Sequence, residues 1–356
     1  MTDTQSRPPW TPGSATGIGS LPGTDMREAL RVVLGELPDF PHLPELPARG
    51  PGSDLVGRTA QLLVELYVDL QPSGWRFCDR PGVDARRAGG VLRADLDLLE
   101  ELAQGYAGPF KIQVAGPWTL AAGIELRHGD KALADPGAYR DLAASLAEGL
   151  AAHVTEVSRR VPGAALVLQL DEPALPMVLA GSVPTASGFG ALAAVEEQVV
   201  QDLLGQVVGA AHAAGASVVV HCCAPDVPLG LVRAAGAAAV SLDATLLTET
   251  CYDALAEVVE AGLDLFCGVV PAVPGNAEVV GPADARAAWN GGASTEPVKA
   301  AAERVRRLWG ELGFAPEEVA KRVVVTPTCG MAGAPPPYAR WAMKRAREVA
   351  RALGEL

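Results

Sequence analysis

Val218-Val219-Val220-His221-Cys222-Cys223-Ala224-Pro225 is a β-branched run that ends in an imidazole, two thiols and a proline. β-Branched residues favour extended backbone, and a proline cannot donate to a sheet ladder, so the run reads as a buried strand stopping at Cys223. Side chains alternate faces along a strand, which puts His221 and Cys223 on one side and Cys222 on the other. An apolar strand with polar residues at its C-terminal end fits a parallel α/β barrel, where strand ends carry the chemistry.

The pattern recurs outward in both directions. Phe110–Gly116 runs into Pro117, and Ala165–Glu172 runs into Pro173. Downstream, Ala238–Asp243, Asp264–Val270 and Val323–Gly330 read as strands, and Ala15–Ser20 and Trp75–Cys78 read as the first two. Helical spacing fills the intervals: a helix capped by Thr24, then Leu55–Leu70, Asp95–Tyr106, Ala138–Arg160, Val195–Ala214, Leu229–Ala235, Tyr252–Ala261, Pro297–Leu312 and Tyr338–Leu353. Residues 38–52 are too proline-rich for either element and read as an ordered loop anchored by Phe40, Leu43 and Leu46; a second loop runs from Pro274 through Gly292. Eight strands, each followed by a helix, close most simply into a single (β/α)8 TIM barrel with long βα loops. The barrel is expected over residues 15–356, after a polar leader at 1–14. A doubly wound sheet would need a dinucleotide signature after the first strand, and Gly17-Ile18-Gly19 is too short a fragment of one.

Composition agrees with this reading. Hydrophobic residues make up 49% of the 356, charged residues 20% and aromatics 5%, so the apolar content is mostly Ala, Val and Leu. A net charge of −13 with no basic run argues against nucleic acid or an anionic membrane as partner. No apolar run reaches the ~20 residues of a spanning helix, and the N-terminus lacks a signal-peptide core, so a cytoplasmic location is expected. The six cysteines do not form a disulfide framework in a chain of this length; in a reducing compartment they serve as buried small residues, metal ligands or nucleophiles.

The polar residues expected at the barrel mouth are Ser20, Asp171, Glu172, His221, Cys223, Asp243 and Cys329. His221, Cys223, Asp243 and Cys329 supply every ligand type that zinc accepts, and four such ligands complete a tetrahedron. Two thiolates and a carboxylate around Zn2+ leave a net charge of −1, which suits a metal that binds a substrate thiol and keeps it deprotonated. Asp171 and Glu172 fit a substrate ammonium or a proton acceptor, the exposed amides near Ser20 fit a carboxylate, and Trp118 fits either ligand stacking or packing beneath a loop. Cys222, on the opposite face, is expected to be structural.

Taken in chain order, Ile18-Gly19-Ser20-Leu21-Pro22, Gly116-Pro117-Trp118-Thr119, Leu170-Asp171-Glu172-Pro173-Ala174-Leu175, His221-Cys222-Cys223 and Thr328-Cys329-Gly330 resemble the catalytic barrel of the cobalamin-independent methionine synthase family. The resemblance implies a zinc-bearing barrel that moves a methyl group from a folate to the sulfur of homocysteine. It implies His221, Cys223 and Cys329 as zinc ligands, Asp171 for the substrate amino group and Ser20 for its carboxylate.

The sequence departs from the family's pattern in four places. Asp243 stands where the family carries a glutamate ligand. Gly268-Val269-Val270-Pro271 replaces the segment that holds a proton-carrying histidine. The family's second carboxylate for the substrate amine has no counterpart near Asp79 to Asp84, and the chain has no room for the additional barrel of full-length members. These residues imply a zinc-dependent methyltransferase acting on a small, homocysteine-like thiol, with a folate or a corrinoid protein as methyl donor. The alternatives are a silent thiol- or metal-binding barrel and a corrinoid-dependent methyltransferase of the uroporphyrinogen decarboxylase-like superfamily.

Overall fold

The computed structural model describes residues 8–274 and 296–355. Apart from short 3-10 turns, the chain runs α1 (Met26–Glu36), α2 (Leu55–Ala60), β1 (Tyr67–Gln71), β2 (Gly74–Cys78) and α3 (Val83–Leu102). It continues through β3 (Gly108–Ala115), α4 (Pro117–Gly123), β4 (Ile124–Glu125), α5 (Pro136–Arg160), β5 (Ala164–Asp171), α6 (Leu175–Ala180), α7 (Glu197–Ala213) and β6 (Ser217–Cys222). Last come α8 (Leu229–Ala234), β7 (Ala239–Asp243), α9 (Tyr252–Glu260), β8 (Asp264–Val270), α10 (Glu296–Glu311), α11 (Val319–Arg322), β9 (Val323–Pro327) and α12 (Pro336–Gly354). The expected loop from Pro274 through Gly292 lies, beyond its first residue, outside the described residues. No described helix is long and apolar enough to cross a membrane.

The last six strands of the sequence reading are found in one parallel sheet of order β3-β5-β6-β7-β8-β9. They are the Val/Ile/Leu-rich runs, buried on both faces by helices on the outside and one another's side chains on the inside. The first two expected strands are different, and here the structure corrects the sequence reading. Ala15–Ser20 forms no regular strand. It touches β9 through Thr16 N–H to Val325 O (3.1 Å) and Val325 N–H to Ser14 O (3.0 Å). It touches the proline-rich stretch through Leu21 N–H to Glu45 O (2.8 Å) and Glu45 N–H to Gly19 O (3.1 Å). That stretch in turn meets β3, with Lys111 N–H on Pro41 O (2.9 Å) and Leu43 N–H on Lys111 O (2.8 Å). Two irregular segments thus span the space between the sheet's edge strands. Pro22, Pro38, Pro41, Pro44 and Pro47 keep them too short for a continuous ladder.

Trp75–Cys78 is a strand, but outside the curled sheet. It pairs antiparallel with β1 and parallel with β4 in a separate three-stranded sheet. The helix expected over Leu55–Leu70 ends at Ala60 because Tyr67-Val68-Asp69-Leu70 alternates, and a Gln71↔Gly74 turn folds it back on β2. Gly74 has φ +129°, which an L side chain rarely adopts. The first helix is capped by Asp25, which accepts from Glu28 N–H at 3.1 Å, and not by Thr24. The helix expected from Asp95 begins already at Val83.

The interior of the curled sheet is layered. At the N-terminal end Val167, Val219, Ala239, Phe266 and Val324 pack with Phe40 and with Trp10, a residue of the expected leader. The Trp10 and Phe266 rings meet edge-on at 5.0 Å, and the Trp10 indole donates to Asp264 at 2.8 Å. Further along the same strands the inward positions turn polar: Lys111 and Gln113 on β3, Gln169 and Asp171 on β5, His221 on β6, Ser241 on β7 and Thr326 on β9. This second half of the interior leads to the site.

Candidate metal centre and substrate site

His221 is the last inward residue of β6, and Cys223 follows where the strand breaks. Cys329 arrives from the loop after β9. One ligand atom from each lies within 4.8 Å of the other two. The two sulfurs are 3.0 Å apart and share one hydrogen bond, although both cysteines are free. That bond, opposed by burial and aided by His221, pulls the Cys329 thiol down, while the same bond and burial push Cys223 up. The pair is therefore ready to carry negative charge on sulfur at neutral pH.

The imidazole is oriented from behind. His221 Nδ1 lies 2.9 Å from Ser241 Oγ on the neighbouring strand, and buried Nε2 has no hydrogen-bond partner. A buried ring nitrogen with nothing to bond costs about 1–3 kcal/mol, and a metal ion relieves that cost. The donor set, one imidazole and two thiols, fits a thiophilic dication such as zinc. Three protein ligands also match the pattern of catalytic sites, where a further position is left for substrate.

The other expected residues divide. Asp171 is buried at the end of β5 and holds Gln169 Nε2 at 2.6 Å. Burial pushes it up to about 6, with His221 and Lys111 pulling the other way and Cys329 adding to the rise. Ser20 lies against the Cys329 loop: its carbonyl accepts from Met331 N–H at 2.8 Å. A Cβ on Gly330 would fall 2.1 Å from Ser20 Oγ, which explains the glycine after Cys329.

Two expectations, for Glu172 and Asp243, are not met, and for Trp118 the packing alternative holds. Glu172 does not face the mouth. Its carboxylate accepts from Trp118 N–H (2.9 Å), Thr119 N–H (2.8 Å) and Thr119 Oγ1 (2.7 Å) and so caps the first turn of α4. Gly116 has no Cβ because one would lie 2.3 Å from that carboxylate. Trp118 is buried against Tyr139 at 5.3 Å, with its indole donating to Val200 O, so it packs under the loop and stacks on no ligand. Asp243 caps the following turn, accepting from Thr245 N–H (2.9 Å) and Thr245 Oγ1 (2.6 Å), and it is not among the three grouped donors.

Sequence reasoning missed Glu45, Lys111 and Ser241. Lys111 and Ser241 had a signal, since polar residues at every second position of an otherwise apolar strand mark an inward face. Lys111 is fully buried, donates to Ile18 O (2.7 Å) and Gln113 Oε1 (3.1 Å), and is pushed down to about 7 by burial. Glu45 sits in a proline-rich stretch without periodicity. Its backbone pairs with that of Ser20, and burial pushes its carboxyl up to about 7, with Arg58 opposing and Asp171 adding to the rise. Asp79, by contrast, is an exposed partner of Arg127.

A curled parallel sheet with sulfur and imidazole donors grouped at its strand ends, beside buried carboxylates, defines an α/β protein with a candidate metal centre at its mouth. The comparisons narrow this class. Residues 98–352 match the family described as cobalamin-independent synthase, catalytic domain. The chain belongs to this family and is a methyltransferase of the cobalamin-independent methionine synthase type. Among solved structures, one similar to this chain is a B12-independent methionine synthase from Shewanella sp. W3-18-1 in complex with selenomethionine. The identity is 13%, over 96% of this chain and 97% of that one, at a TM-score of 0.60. Its likeness supports the fold. An uncharacterized protein is aligned at 14% identity over 78% of this chain and 70% of its own, at a TM-score of 0.28 that carries no argument. No curated protein matches. Membership in a cobalamin-independent family leaves the corrinoid donor without support.

Proposed function

We propose that the protein transfers a methyl group to homocysteine sulfur to give methionine, with a methylated folate as donor. The observation that carries this reading is the His221, Cys223 and Cys329 group, with its bare Nε2, set at the same mouth as Asp171, Glu45 and Ser20. The scaffold is read as an eight-stave barrel in which residues 14–21 and 41–46 are staves reduced to single bridges. The neighbouring structure's selenomethionine is the selenium analogue of the proposed product.

Zinc held by His221, Cys223 and Cys329 would supply a Lewis acid that keeps the substrate thiol deprotonated at neutral pH. The chain's own residues do the rest. Ser241 fixes the imidazole so that Nε2 points at the sulfurs. Asp171 and Glu45 receive the substrate ammonium, and the Ser20 region receives its carboxylate, which orients the sulfur for in-line attack. The S–CH3 bond forms as the donor's N–CH3 bond breaks; the electron pair stays on the donor nitrogen, which then takes a proton. A reducing location such as the cytoplasm, which keeps donor thiols reduced, goes with this reading. The test is product formation from homocysteine and methylated folate by zinc-loaded protein, set beside Cys329→Ser. Methionine formed by the wild type and not by the variant supports the reading; equal turnover by both refutes it.

A further inference from the structure

Asp95 lies on α3, outside the mouth, yet it is 1% exposed and ion-paired twice. Arg49 donates to both of its oxygens, at 2.7 and 2.8 Å, and Arg58 donates to one at 2.8 Å. Arg58 is itself buried on α2, and its Nε stops 3.6 Å from Glu45 Oε1. The helix that carries Arg58 is anchored to the sheet, since Ala115 N–H at the end of β3 donates to Thr59 Oγ1 at 2.8 Å. The groups that bear on Glu45 are thus Arg58 from α2, Asp171 from β5, and Lys111 and Gln113 from β3.

Two guanidiniums share one carboxylate, so the Arg49–Asp95–Arg58 group holds one excess positive charge. That charge stands near Glu45 and favours its ionised form against burial and against Asp171. Because Asp95 takes the Arg58 hydrogen bond, the guanidinium gives Glu45 its field without occupying its lone pairs. We propose that Asp95 and Arg58 are positioning residues for Glu45, and that this buried chain of charges gives the mouth its preference for thiols that carry an ammonium group. The proposal rests on the reading that Glu45 and Asp171 receive the substrate ammonium.

Without the Asp95 charge, Arg58 closes the remaining gap onto Glu45 and competes with the ligand. The experiment is calorimetric titration of the zinc-loaded full-length protein with L-homocysteine and with 4-mercaptobutanoate, the same acid without its amino group. Asp95→Asn is expected to weaken homocysteine about tenfold while 4-mercaptobutanoate stays within about twofold of wild type. Arg58→Lys, which keeps the charge, is expected to recover part of the loss relative to Arg58→Gln. Should Asp95→Asn fail to fold, Arg49→Gln removes the excess positive charge and is expected to weaken homocysteine while 4-mercaptobutanoate stays within about twofold of wild type. Equal weakening of both ligands, or no change for homocysteine, overturns the proposal. A wild type that binds both ligands equally overturns the ammonium reading as well, so the two failures are separable.

Discussion

The two ends of the sheet's interior are built from the same strands and differ in character. At the N-terminal end Val167, Val219, Ala239, Phe266 and Val324 close around Trp10 and Phe40 as an apolar cluster, with the Trp10 indole satisfied by Asp264. Two to four residues later β5 presents Gln169 and Asp171, and β6 leads through His221 to Cys223. Strand backbone imposes only alternation, so which end is inert is decided by side chains alone. The lesson is a division of labour along one axis: one end holds the strands together, and the other spends buried polar groups on chemistry.

The largest effect that sharpens this contrast is expected at the sulfur cluster. His221→Ala and Cys329→Ser should each reduce zinc from about one ion per chain to a small fraction of that, measured by mass spectrometry on protein purified without added metal. Retention of metal by both variants would remove the cluster from consideration as the metal centre. At the opposite end, Phe266→Ala should cost about 3–5 kcal/mol of stability through the cavity it leaves, in denaturant unfolding, with zinc content unchanged. Loss of zinc in that folded variant would break the division.

Adjacent carboxylates give a finer comparison. Glu172→Gln should cost about 1–3 kcal/mol, because one of the two oxygens that accept from Trp118 and Thr119 becomes an NH2 donor facing them, while homocysteine affinity holds. Asp171→Asn should do the reverse, weakening homocysteine about tenfold in titration with little change in the unfolding midpoint. The smallest effect concerns Lys111. Burial holds it down to about 7 from 10.5, so the folded protein binds fewer protons than the unfolded chain between those values. Stability therefore gains a component that rises with pH across that window. Lys111→Met should flatten this component, read as the shift in unfolding midpoint between about pH 7 and about pH 9; an unchanged slope would mean that the ammonium escapes burial.

Much of this was legible in the sequence, and the limits were physical. Five of the six sheet strands are apolar runs closed by proline or glycine, the sixth ends at Asp243, and their pattern needs no tertiary information. Ala15–Ser20 failed as a strand because a single bridge to Val325 and one to Glu45 replace a ladder, a choice made by distant residues. His221, Cys223 and Cys329 were readable because thiols and imidazole at strand ends have few other uses. Glu172 and Asp243 were misplaced, and Trp118 was left open between two uses, because a cap, a packed ring and a ligand use identical residue types; only the direction of the side chain separates them. Glu45 lay hidden in a loop without periodicity, where no local rule predicts which residue turns inward.

The bridges at the sheet's edge have a consequence for how the molecule is made. Ala15 meets Val325, and Ser20 touches the Cys329 loop, so the first and last parts of the chain are stitched together beside the donor cluster. Contacts of such long sequence separation form late, after the loop-closure entropy of nearly the whole chain has been met. On the ribosome the first segment can meet the Glu45 stretch early, but its partner Val325 arrives only when β9 has emerged. Assembly of the donor cluster therefore waits on the strand that precedes Cys329, and a chain terminated before Cys329 would keep two donors and an open seam.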